Sequence, residues 1–100
     1  MTTETLKPPT VVEALERAID SLLKAIFAAE AEWDPGADEV AREAISLIGK
    51  KLFERGGVDQ MRASMRRVVG MDIVTFDRRT DILSVSWDGI GARWGDRWWS

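Results

Sequence analysis

Ile73-Val74-Thr75-Phe76-Asp77-Arg78-Arg79-Thr80-Asp81-Ile82-Leu83-Ser84-Val85-Ser86-Trp87 is the stretch on which the fold class turns. Its two ends are rich in β-branched and aromatic residues, and the polar run 77–81 between them reads as a loop, so the segment predicts a β-hairpin. In the second arm Leu83, Val85 and Trp87 alternate with Ser84 and Ser86, giving one dry and one polar face. The rival is a fourth helix, because Ile82, Ser86 and Ile90 with Leu83 and Trp87 also line one helical face. The hairpin makes the chain α+β, mainly α; the helix makes it a small all-α bundle.

Upstream the helical reading has no rival. Val58, Met61, Met65 and Val68 share one face of a short helix from about Val58 to about Val69, with Gly70 as its stop. Gly56-Gly57 separates it from a longer helix whose stripe is Ala37, Val40, Ala41, Ala44, Ile45, Ile48, Leu52 and Phe53. Asp34-Pro35 opens that helix as cap and first-turn proline, and Lys50, Lys51 and Arg55 sit where its dipole favours cations. The first helix runs from about Val11 to about Glu32. Its stripe is Val11, Val12, Leu15, Ala18, Ile19, Leu22, Leu23, Ile26 and Phe27; its wet side is Glu13, Glu16, Arg17, Asp20 and Lys24. Thr10 with Glu13 fits a capping box. Two such helices form an antiparallel hairpin that cannot hide both stripes unaided, so the third helix, the β-hairpin and a Trp-rich tail must cover it. Residues 1–9, closed by Pro8-Pro9, read as a polar lead, and residues 10–100 as one globular domain.

Composition excludes several chemistries. The 100 residues carry a net charge of −3 and contain no Cys, His or Tyr. Thiolate and imidazole catalysis, zinc fingers and haem ligation are thereby removed, and no cofactor is expected. The start lacks a secretory pattern, and the longest apolar run is Ala25-Ile26-Phe27-Ala28-Ala29, so the expected location is cytoplasmic and no membrane partner is expected. Gly89-Ile90-Gly91-Ala92-Arg93-Trp94-Gly95 lacks the spacing of a dinucleotide fingerprint and the Lys-Ser/Thr of a phosphate loop, and reads as tight turns. No nucleophile and base stand at a suggestive spacing, and the chain is not read as an enzyme.

The charges are unevenly placed. Every Lys and Glu lies within residues 1–57, which carry seven bases and eleven acids; residues 58–100 hold seven Arg and six Asp. Arg, Trp and Met are the residue types enriched at protein interfaces, whereas Lys and Glu are depleted there. The expected function is therefore a small acidic, non-catalytic protein-interaction module: an adaptor, an inhibitor or an assembly subunit. Its partner-binding residues are expected to be Arg93, Trp94, Arg97, Trp98 and Trp99 at the C-terminus, with Arg62 and Arg66 one turn apart on the third helix. Packing of the terminal Trp residues onto the helices is the competing reading, and Trp87 is assigned to the core.

Two alternatives accompany this reading. A self-associating structural protein would bury the same apolar surface against a second copy. A nucleic-acid-binding regulator would use the arginines of the third helix together with Arg78 and Arg79, but the acidic pI of about 4.9 opposes it. Asp59, Asp72, Asp77 and Asp81 are near enough in sequence to pair with these arginines. Glu30 and Glu32, at the unfavourable negative end of the first helix, are read as solvated.

Overall fold

A computed structural model describes residues 10–91 and Trp94. Helix α1 spans Val11–Ala31, α2 spans Pro35–Gly70, a 3-10 turn spans Ile73–Thr75 and α3 spans Phe76–Trp87. No strand occurs among the described residues, so the expected C-terminal β-hairpin is replaced by a turn and a helix, and the all-α alternative is the one that fits.

The local signals act as their chemistry requires. Glu13 N–H donates to Thr10 Oγ1 at 3.1 Å and Thr10 N–H to Glu13 Oε1 at 3.4 Å, closing the capping box of α1. Asp34 Oδ1 accepts from Ala37 N–H at 3.1 Å, with Pro35 in the first turn of α2. Between the helices, Asp34 N–H reaches Ala29 O at 2.9 Å and Trp33 N–H reaches Glu30 O at 3.3 Å. This is a Schellman ending, whose turning position is occupied by Trp33 at φ 56° where glycine is the usual residue.

Helix α2 is continuous only in outline. Gly57, at φ 69° and ψ −158°, adopts a conformation open only to glycine and splits the helix into arms 35–55 and 58–70. The second arm is the expected third helix, and it folds back so that Met61, Met65, Val68 and Val69 join Ile19, Leu23, Ile26, Ala41, Ile45 and Leu52 in the core.

Residues 76–87 become a helix because tertiary packing decides what local pattern leaves open. Arg79, Ile82, Leu83, Ser84 and Trp87 are buried, and Val85 is exposed. A strand would have placed Val85 beside Leu83 and Trp87; the i, i+3, i+4, i+8 spacing instead directs Arg79, Ile82, Leu83 and Trp87 into the open side of the α1–α2 pair. A lone two-stranded hairpin is marginal in water, whereas a helix lays a continuous stripe over that opening. Trp87 Nε1–H donates to Ile45 O at 2.9 Å, and its ring lies so close to Gly49 that a Cβ there would overlap it. Gly89 and Gly91 take positive φ values of 89° and 73°, making the tight turn that the glycines suggested. Trp94 returns to the core edge-on to Trp87, with ring centroids 5.9 Å apart.

Several stripe positions differ from expectation. Val11, Val40 and Phe53, expected in the core stripes, are 50%, 67% and 40% exposed, Ala37 is exposed, and Glu16, expected on the wet side of α1, is buried. The paired carboxylate explains the burial of Glu16.

Candidate functional site

The acids of α1 and the arginines of the later segments neutralise one another across the fold. Arg67 on α2 holds Glu16, with Nε at 2.8 and 3.0 Å from the two carboxylate oxygens and Nη2 at 2.6 Å from Oε2. That hydrogen bonding raises the Arg67 pKa above its ordinary value. Arg78 on α3 reaches Glu30 at 2.6 Å, and Arg42 reaches the same carboxylate at 3.5 Å. Glu30 is thus paired within the chain, not merely solvated, and Arg67, Arg78 and Arg79 pair with carboxylates of α1 instead of neighbouring aspartates.

Arg79 is the central member. It is 1% exposed and joins three elements: Nη1 lies 2.7 Å from Asp20 Oδ1 on α1 and donates to Val68 O on α2 at 3.1 Å, and Nε donates to Thr75 Oγ1 at 2.9 Å. Burial pushes the Asp20 carboxyl up, but hydrogen bonds and charge from Arg79 and Lys24 outweigh it and hold the pKa below its ordinary 3.8.

The clamp fixes an apolar turn at the surface. Asp72 caps it, accepting from Val74 N–H and Thr75 Oγ1–H at 3.1 Å each, while Arg79 holds Thr75 from beneath. Four apolar side chains stand out from this turn: Ile73 is 84% exposed, Val74 87%, Met71 48% and Phe76 39%. These fractions correspond to about 400–500 Å² of apolar surface, as large as the largest patch on a typical monomer, which is often functional. A second feature flanks the α1–α2 turn, where Ala29, Glu30, Trp33, Asp34, Asp38 and Arg78 line a cleft of about 550 Å³. Trp33 is 90% exposed there.

The residues expected to bind a partner are distributed differently. Trp94 is buried in the core, its Nε1–H donating to Ile90 O at 3.1 Å and its backbone N–H to Asp88 Oδ1 at 3.0 Å. Arg93, Arg97, Trp98 and Trp99 lie outside the described residues. Arg62 is half-buried, with an enclosed Nε that has no hydrogen-bond partner among the described residues, and Arg66 is exposed. Of the five arginines considered for phosphate contact, Arg67, Arg78 and Arg79 are engaged by α1 carboxylates. The apolar turn escaped the sequence reading because a hairpin strand would have half-buried the same residues.

Among the described residues no group of three or more Asp or Glu is placed to hold a metal ion, and no helix is long and apolar enough to cross a membrane. No family model matches the chain, and comparisons with curated proteins and with solved structures find no significant match.

Proposed function

We propose that this chain is a small non-catalytic protein-interaction module that inserts the turn 71–76 into an apolar cleft on a partner protein. The observation that supports the reading is the exposure of Ile73 and Val74 on a turn held by Asp72 and Arg79. A chain that gains little from these residues in its own core and still caps the turn that carries them has a preorganised binding feature, since part of the entropy of arranging that backbone is already met by folding. The turn is only a few residues long and exposes Ile73 and Val74 almost fully, which fits a concave partner site. Intramolecular pairing of Arg67, Arg78 and Arg79 leaves little net positive charge for a phosphate backbone, which favours protein over nucleic acid.

The test places a photocrosslinking amino acid at Val74 in the full chain and irradiates it in host lysate. The expected result is a discrete protein adduct that survives nuclease and disappears when Ile73→Asp is added. An adduct pattern unchanged by Ile73→Asp, or crosslinks only to nucleic acid, would overturn the proposal.

A further inference from the structure

Helix α2 carries a second apolar seam besides the one it gives to the core. Ala37, Val40, Ala44, Leu47 and Lys51 follow one another at spacings of 3, 4, 3 and 4 residues, the a/d pattern of a two-helix coiled coil. The core residues Ala41, Ile45 and Leu52 occupy other positions, so this seam is not the inward stripe misread. Val40 is 67% exposed and Leu47 60%, Ala37 is exposed and Ala44 half-buried. From this face we infer that two copies of the chain pair antiparallel through α2, seam against seam.

Two properties of the seam select a second copy in that orientation. The first is size. Small residues fill one heptad position, Ala37 and Ala44, and larger ones the other, Val40 and Leu47. An antiparallel pair sets each position against the other, so Leu47 of one copy lies on Ala44 of the second and Val40 lies on the stem of Lys51; a parallel pair sets Leu47 on Leu47 and leaves Ala44 facing Ala44 across a gap. The alanines also let the axes approach to the close end of the usual 8–10 Å range. The second is charge. Glu43 and Lys50, both exposed, flank the seam seven residues apart on the same side. In the antiparallel pair Glu43 of each copy meets Lys50 of the other, twice by symmetry, whereas a parallel pair sets Glu43 against Ile48 and Lys50 against Arg55, leaving Glu43 without a cation. The apolar area is about 400 Å² per copy, below the roughly 800 Å² per partner of a standard interface, so the dimer is a weak one, with Kd on the order of 100 µM.

Sedimentation velocity on the full chain, from about 10 µM to about 1 mM, reads this directly. The expected result is a monomer–dimer equilibrium across that range, abolished by Leu47→Glu. Glu43→Lys alone and Lys50→Glu alone each weaken it roughly tenfold by turning two attractions into repulsions, and the double variant restores it. Circular dichroism confirms that each variant stays folded, as it should at exposed positions. A chain monomeric up to 1 mM, a dimer indifferent to Leu47→Glu, or a double swap that fails to restore association would overturn the inference. So would a dimer lost on Ile73→Asp and kept in Leu47→Glu, because its interface would be the 71–76 turn.

Discussion

Replacing Arg79 by Met retains most of the side-chain volume and removes the charge-assisted contacts that Arg79 makes with α1, α2 and the 3-10 turn. Asp20 then loses its 2.7 Å partner, the Val68 carbonyl loses a donor at 3.1 Å and the Thr75 hydroxyl one at 2.9 Å. Breaking one side of a buried pair costs about 3–5 kcal/mol, much of it the penalty on the abandoned charge. Here that penalty is reduced, because the Asp20 side chain is 21% exposed and keeps Lys24 at 3.2 Å. The carbonyl and the hydroxyl add about 1 kcal/mol each where water does not reach them. A loss of about 3–4 kcal/mol follows, a large part of a total stability near 5–15 kcal/mol. In a 100-residue domain this corresponds to a fall in Tm of about 15–25 °C. Urea melts followed by far-UV circular dichroism and tryptophan fluorescence measure it, with Asp20→Asn and the double variant completing a cycle. The double variant is expected to cost little more than Arg79→Met alone, since both changes remove the same ion pair. A loss below about 1 kcal/mol, or fully additive single effects, would refute the role given to Arg79 as the clamp.

Gly49→Ala replaces a poor helix former with the best one and should nonetheless destabilise by about 1–3 kcal/mol, because the new methyl meets the Trp87 ring; a stabilised variant in a thermal melt would show that this contact is absent. Trp33→Gly should stabilise by about 0.5–1 kcal/mol, since the exposed indole contributes little burial and the left-handed backbone suits glycine, and unchanged or lower stability would show that Trp33 packs on something. The lowered pKa of Asp20 gives a pH signature. Its stabilising contribution is complete above the ordinary value of 3.8 and drains away as pH falls from there through the folded value, so the advantage of wild type over Asp20→Asn should be constant from pH 7 to 5 and shrink below about pH 4. A difference that stays constant to pH 2.5 would contradict it.

What could be read from the sequence is what neighbouring residues decide among themselves. Thr10 with Glu13, Asp34 with Pro35 and the pair Gly56-Gly57 act over three or four positions, and each marks its helix boundary where it stands. Residues 76–87 escaped that logic because Leu83, Val85 and Trp87 alternate while Ile82, Leu83 and Ser86 share a helical face, so propensity and period gave opposite answers. The choice was made by groups distant in sequence: Ile45 O, which receives the Trp87 indole N–H, and Asp20 and Val68 O, which receive Arg79. The Glu16–Arg67 pair spans 51 positions and carries no local mark, which is why Glu16 looked like a surface residue. Nothing in Glu32-Trp33-Asp34 announces a left-handed Trp. The exposure of Ile73 and Val74 was hidden by their composition, since aliphatic residues beside Phe76 suggest burial until the clamp beneath them is seen.

Measuring stability and binding on one variant, Ile73→Ser with Val74→Ser, decides whether the 71–76 turn serves a partner or the fold. At 84% and 87% exposure these side chains contribute little burial, so unfolding free energy should change by less than about 0.5 kcal/mol, while a crosslinking amino acid at the exposed neighbour Met71 captures the partner in the otherwise unaltered chain and no longer captures it in this variant. A variant that unfolds more easily by 2 kcal/mol or more, or one that still captures the partner, would contradict the account.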